Sequence, residues 1–422
     1  MTVPTLFAAR KPLPLPGKKG GVLYLLVLSA LTVMLTAVFL FNPTGRNADM
    51  FHTFQYDSEN LVRDYIESVA DENNGLLGYT EYSSNFGLQG HIYRLISRVH
   101  HGYMLYHTLT CFALALTVTL CCSLLWRCDP LLAVAMYAGM GLSPWVVCMA
   151  RNLYWVQFTW YLPLLVGLAC FAEVFKKRPV LYAALLFLAV LLKSLCGYEF
   201  ITTVLITAMA FPLLKLLRTL GDKSLLRTRL REFFLLCAAC VLAVLLAMTI
   251  HALAMDAGGF VGGLRRIVEN SKVRMAWAQS ESIEQLYSDP TVAEWLNRMA
   301  DATAWETVRT YLRFPTELFH WIPGTAFLPL SAASLCIAAG LAVLRKEVGP
   351  LLLYTVLLLS TLSWYVLASP HALGHTHICY VLWYMGFAQM LLYLPLKLAV
   401  CIGRGVFSRF VKHPAFCEVN QQ

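Results

Sequence analysis

Apolar residues in this chain are gathered into about ten long runs between Gly21 and Ala399. The first, GVLYLLVLSALTVMLTAVFLF over Gly21–Phe41, is long enough to cross a hydrocarbon core of ~30 Å as a single helix. The others lie near Tyr103–Trp126, Leu131–Ala150, Val156–Phe175, Val180–Lys193, Phe200–Leu217, Phe233–Ala254, Thr325–Leu344, Leu351–Leu367 and Ile378–Ala399. The fifth is short for a crossing and is expected to borrow residues from SLCGYEF, so that spans five and six form a tight re-entering pair. The first run is too long for a signal peptide, and no small-residue cleavage pattern follows it; it reads as a retained anchor. The pattern predicts an all-α, polytopic membrane protein with about ten transmembrane helices. Residues 1–422 form one integral-membrane domain, with long helical loops at 42–100 and 255–324 on the same side.

Composition agrees: 58% of residues are hydrophobic, 14% are charged, and the mean hydropathy is +0.61. No soluble domain of this length has such a balance. Basic residues fall on alternate loops: Arg10, Lys11, Lys18 and Lys19; Lys176, Lys177 and Arg178; the stretch Lys215–Arg231; Arg345 and Lys346; Arg404, Arg409 and Lys412. The positive-inside rule places these loops and both termini in the cytoplasm, and the two long loops outside. The formal charge of +9 therefore reports orientation and excludes nucleic acid as a partner. None of the 13 cysteines lies in the long loops, which argues for buried apolar thiols over a disulfide framework. There is no P-loop or Rossmann glycine pattern. Chemistry is expected on the non-cytoplasmic face, where an activated lipid-linked substrate replaces nucleotides.

In the first long loop, DSENLVRDYIESVA predicts an amphipathic helix with Leu61, Val62, Tyr65 and Val69 on its apolar side, Ser58 as N-cap and Glu59 in the first turn. A turn-rich stretch, NNGLLGYTEYSSNFGLQG, leads to a second interfacial helix in HIYRLISRVH. In the second loop, Pro290 opens a helix, and Trp305, Val308 and Leu312 continue an apolar side begun by Val292, Trp295, Leu296 and Met299.

Candidate chemistry concentrates in the loops. A carboxylate at the membrane face can deprotonate an acceptor hydroxyl, which singles out Asp57 and Glu59, with Asp49 as a rival nearer the first span. The competing reading is a solvated acidic helix start, and residues at i and i+2 do not share a helix face. Arg151 lies among Trp145, Tyr154 and Trp155, as a snorkelling arginine or a clamp for phosphate. Lys193 and Glu199 flank SLCGY; they form an ion pair, or Lys193 neutralises a phosphate. His371, His375 and His377 sit before the last span; without the rigid frame of HExxH they suit hydrogen bonding to sugar or phosphate better than a metal. Gln89, His91 and Arg94 make a further polar cluster, and Tyr79, Tyr82 and Trp155 offer stacking faces.

Taken together, the long first outer loop, its acid in YDSENLVRDY and the later outer-loop cations resemble the GT-C superfamily of integral-membrane glycosyltransferases. The segment GHTHICYVLWY is loosely similar to histidine segments of bacterial surface-polysaccharide transferases. The resemblance implies a polyprenyl-phosphate-linked sugar donor, and a glycan, lipid or protein acceptor in a setting of membrane lipids. It places the chain in a bacterial inner membrane with its active site facing the periplasm. One sugar would be transferred with inversion, Asp57 acting as base with Glu59 or Asp49 as companion, and Lys193, Arg151 and Arg94 holding the donor phosphate. Gln89, His91, Tyr82, Trp155, Glu199, His371, His375 and His377 would contact substrate. The scheme needs no metal, although an acidic loop near a phosphate leaves room for Mg²⁺ or Mn²⁺. Two alternatives stay open: an O-antigen ligase or polymerase built on Arg265, Arg266, Arg309 and His320, and a flippase or transporter of lipid-linked sugars.

Overall fold

A computed structural model describes residues 18–45, 58–67, 84–176, 178–255, 258–274 and 303–412. Helix α1 (Lys18–Phe41) is followed by two short helices, α2 (Glu59–Glu67) and α3 (Leu88–Ser97). The series continues with α4 (Tyr103–Cys128), α5 (Pro130–Gly141), α6 (Pro144–Met149), α7 (Phe158–Phe171), α8 (Pro179–Cys196), α9 (Ile201–Leu217) and α10 (Lys223–Ala254). After α11 (Phe260–Arg274) and α12 (Ala304–Tyr311) comes a small antiparallel hairpin, β1 (Glu317–Phe319) with β2 (Ile322–Pro323). Helices α13 (Phe327–Leu344), α14 (Gly349–Leu367), α15 (Ser369–Gly374), α16 (Thr376–Cys379) and α17 (Phe387–Lys412) complete the chain.

The protein is a polytopic helical membrane protein. Among the described residues six helices are long and apolar enough to cross a bilayer, in α1, α4, α8, α10, α13 and α14; Thr376–Tyr384 and Phe387–Gly403, bent by 40°, make a seventh if taken as one span. The other three runs of the expected ten become shorter apolar helices, α5, α7 and α9. The reason is clearest at Leu131–Ala150. Pro144 cannot donate a backbone hydrogen bond, and the Ser143 hydroxyl caps a new helix by accepting from Val146 N at 3.1 Å, so the run splits into α5 and α6. At the preceding turn Asp129 accepts from Leu131 N at 3.1 Å, with Pro130 in the first helical position.

The fifth run does borrow from SLCGYEF, since α8 extends through Cys196. The expected tight pairing of spans five and six is replaced by a splayed arrangement: α8 packs on α7 and α10, while α9 packs on α7 and α14. The core between the helices is aromatic, with Trp160, Trp383, Tyr106, Tyr161, Tyr365 and Phe200 enclosed. By contrast only 17% of the apolar window of α1 is buried, so most of its flank is left for lipid. In the second long loop Thr303 and Glu306 form a capping box for α12. That helix docks through Thr307 and Tyr311, whose hydroxyl donates to Ala372 O at 2.5 Å. Val308 and Leu312 pack against the core as expected, but Trp305 is exposed, because the docked face is set by Thr307 and Tyr311, one turn apart.

The bundle end opposite α2 and α3 is tied by two ionic clasps. Lys215 Nζ donates to Cys170 O at 2.8 Å and to Glu232 Oε1 at 3.1 Å, while Arg229 bonds Glu232 and Glu173. Lys397 reaches Glu347 at 3.0 Å and the Tyr393 hydroxyl at 2.8 Å, and Tyr393 donates to Asp129 at 2.7 Å. Lys215 and Glu232 each expose only 10% of their side chains, so removing Lys215 leaves the buried Glu232 with Arg229 as its one remaining cation among the described residues. Lys215→Met is expected to cost about 3 kcal/mol, seen as a lower thermal midpoint in detergent, with much of the loss recovered in Lys215→Met/Glu232→Leu.

Candidate functional site at the α2–α3 end

The apolar face of α2 carries an acid. Glu59, Val62 and Ile66 recur at i, i+3 and i+7 and are all buried, so the helix turns Glu59 inward instead of presenting it to water. Ser58 has φ 56°, in the left-handed region, and so lacks the extended backbone that an N-cap usually has. The Glu59 carboxylate is met from three directions. Arg63 Nε and Nη2 donate to Oε1 at 3.0 and 2.8 Å, Leu153 N donates to Oε2 at 3.1 Å, and His107 Nε2 lies 3.5 Å from Oε1.

His107 adds a proton constraint. Its Nδ1 is 2.7 Å from the Arg151 carbonyl, which can only accept, so Nδ1 carries a hydrogen. Contact between Nε2 and Glu59 is then favourable when a further proton sits on one of the two. Burial pushes the Glu59 carboxyl above the ordinary carboxylate range, against the opposing pull of Arg63, the Leu153 N–H and Arg151.

The segment 151–157 is the platform on which α2 and α3 rest. Asn152 Oδ1 folds it by accepting from Tyr154 N at 2.9 Å and Trp155 N at 3.0 Å. Arg151 Nη1 donates to Leu40 O, at the end of α1. From α3, Gln89 Nε2 donates to Tyr154 O at 2.8 Å, and just before that helix Asn85 Nδ2 donates to the Tyr154 hydroxyl at 2.8 Å. His91 Nδ1 lies 2.6 Å from the Tyr65 hydroxyl, joining α3 to α2. Arg94 stands over the Tyr65 ring, 4.8 Å from its centroid. It is only 8% exposed, and its Nε and Nη1 have no hydrogen-bond partner among the described residues.

Lys193 is 3% exposed at the end of α8 and donates to Gly197 O at 2.6 Å. The expected ion pair with Glu199 is not what satisfies this ammonium: among the described residues no carboxylate comes within 4 Å of it, although Glu199 is near enough to favour its charge. Glu199 packs against Gly197, where a Cβ would collide with its Oε2 and lie 3.5 Å from Asn85 Nδ2. Phe200 follows at φ 64° and is enclosed. Trp155 stacks on it at 5.3 Å, and Trp160, Trp364 and His371 meet it edge-on. His371 and His375 are 4.6 Å apart between ring centroids, and His375 and His377 5.9 Å. Among the described residues, no three His, Cys, Asp or Glu are arranged to hold a metal ion.

A continuous chain of contacts thus joins Glu59, Gln89, His91, Arg94, Arg151, Trp155, Lys193, Glu199, His371, His375 and His377 at one end of the bundle. Asp49, Asp57, Tyr79 and Tyr82 lie outside the described residues. Of the rival set, Arg265, Arg266 and Arg309 are exposed on α11 and α12, and His320 is buried. Sequence reasoning did not single out Arg63, His107, Asn85 or Phe200. For Arg63 there was a signal, the i,i+4 spacing from Glu59.

No family model, curated protein or solved structure matches this chain. Any functional reading therefore rests on this arrangement of side chains and on the sequence pattern.

The raised Glu59 carboxyl has a definite sign. Its contribution to stability is fully present below the ordinary carboxylate value of 4.5 and is lost as pH rises through the higher folded value. The melting midpoint of the wild type relative to Glu59→Gln is expected to fall as pH is raised from 4 to 8. A difference flat with pH would show that Glu59 titrates normally.

Proposed function

We propose that the chain is a membrane glycosyltransferase that moves one sugar from a polyprenyl-phosphate donor to an acceptor hydroxyl, with inversion. In this reading the apolar runs make about ten crossings of a bacterial inner membrane and the α2–α3 end faces the periplasm. The observation that supports it is a pair of buried cations without a carboxylate partner. Arg94 and Lys193 are each more than nine-tenths buried, on adjoining elements, and neither has a carboxylate within ion-pairing distance among the described residues. Glu199 lies near Lys193 without forming an ion pair, and a buried cation with no carboxylate in contact is costly until an anion joins it. A lipid phosphate entering from the bilayer supplies that anion, and the same cations would stabilise the charge left on it when the sugar departs.

The reaction is a single displacement. The acceptor oxygen bonds to the anomeric carbon, the bond from that carbon to the phosphate oxygen breaks, and the acceptor proton goes to a carboxylate. Glu59 is enclosed by Arg63, His107 and the Leu153 N–H, which suits it to position the platform. Asp57 is therefore the base in this scheme, with Asp49 as the rival. Trp155 and the histidines of 371–377 would border the sugar.

The test uses purified full-length protein with a panel of radiolabelled polyprenyl-phosphate sugars and membrane extract. Wild type is expected to transfer label. Asp57→Asn should abolish transfer with donor binding retained, and Arg94→Ala should weaken donor binding roughly 10–100-fold. Absence of transfer from every donor by folded protein would remove this reading in favour of a ligase or transporter.

A further inference from the structure

Helix α11 lies at the rim of the bundle and takes no part in the proposed transfer. It follows α10, whose apolar run ends at Ala254 and so ends near the edge of the hydrocarbon core. Gly258 and Gly259, at φ 77° and 94°, turn the chain in left-handed backbone that other residues rarely adopt. Helix α11 then packs back on α10: a Cβ on Gly263 would collide with Ala252 O, so the two backbones touch. Ala252 is in the last turn of α10, and the contact fixes α11 at the depth of the bilayer boundary. Ile267, one turn beyond Gly263, is buried on the same side. Helix α11 also meets α15, and at the end of α10 His251 Nδ1 lies 3.3 Å from the Tyr198 hydroxyl. These contacts hold α11 at the α2–α3 end.

The other side of α11 mixes two chemistries. Val261, Arg265 and Val268 recur at i, i+4 and i+7 and are all exposed, and Phe260 and Arg266 beside them are exposed as well. The one acid in the helix, Glu269, is bonded by Lys272 at 2.9 Å. Among the described residues neither Arg265 nor Arg266 has a carboxylate within 4 Å. A face turned wholly to water gains nothing from Phe260, Val261 and Val268 together, and a face sunk in hydrocarbon would strand two guanidinium groups. The headgroup layer suits both, because apolar side chains reach the acyl boundary while guanidinium groups meet phosphate. Two adjacent cations favour a headgroup of net negative charge over a zwitterionic one, in which an ammonium already neutralises the phosphate.

We propose that α11 is a docking site for an anionic phospholipid of the surrounding bilayer. Arg265 and Arg266 hold its phosphate, and Phe260, Val261 and Val268 lie against its acyl chains. The assignment is independent of the glycosyltransferase reading, which uses neither arginine.

The test uses full-length protein carrying p-benzoylphenylalanine at Val261, reconstituted in vesicles of equal phosphatidylglycerol and phosphatidylcholine with the same acyl chains. After irradiation, the lipid attached at that position is identified by mass; the same label at Val268 gives a second reading. Phosphatidylglycerol is expected to be attached in excess of phosphatidylcholine. Arg265→Gln/Arg266→Gln should remove most of that excess, about fivefold for each arginine, while attachment itself continues. Absence of lipid attachment at both positions would place α11 away from the bilayer and overturn the proposal. Equal attachment of the two lipids, or an excess unchanged in a monodisperse double variant, would overturn it as well.

Discussion

A carboxylate without solvent exposure must be met by donors or hold its own proton; Glu59 is met by Arg63 and the Leu153 N–H, while burial pushes its carboxyl above the ordinary range. Arg63 is one turn away on the same helix, Leu153 N belongs to the platform segment, and His107 belongs to α4. One side chain therefore ties a surface helix to two elements of the bundle. The consequences spread outward. Holding α2 fixes Tyr65, Tyr65 sets His91 and lies under Arg94, and α3 reaches the platform through Gln89. The geometry of the cations depends on an acid that is itself shielded from solvent.

The two ends of the bundle handle charge differently. At the end carrying Lys215 and Lys397, every basic group in the two clasps meets a carboxylate, so these ends of α4, α7, α9, α10 and α17 are held by balanced pairs. At the α2–α3 end, Arg94 and Lys193 are instead given an aromatic face and a backbone carbonyl. Among the described residues neither cation has a carboxylate within ion-pairing distance, although Glu199 lies near enough to Lys193 to favour its charge. The two ends of the bundle thus bury their cations by different means.

The helical membrane character and the location of the polar centre were legible from hydrophobic runs and loop chemistry, because both are set by local composition. The number of full-length spans was not, since Ser143-Pro144 breaks a run whose hydropathy never falls, a backbone effect invisible to apolar content. The direction of Glu59 was in principle readable, because it lies in register with Val62 and Ile66; the charge of the residue obscured the period. The partner of Lys193 was not readable. Sequence proximity suggested Glu199, but Gly197 bends the chain so that its own carbonyl reaches the ammonium first. His320 and Glu317 depend on a hairpin of a few residues docked against α6, a tertiary event with no periodic signal.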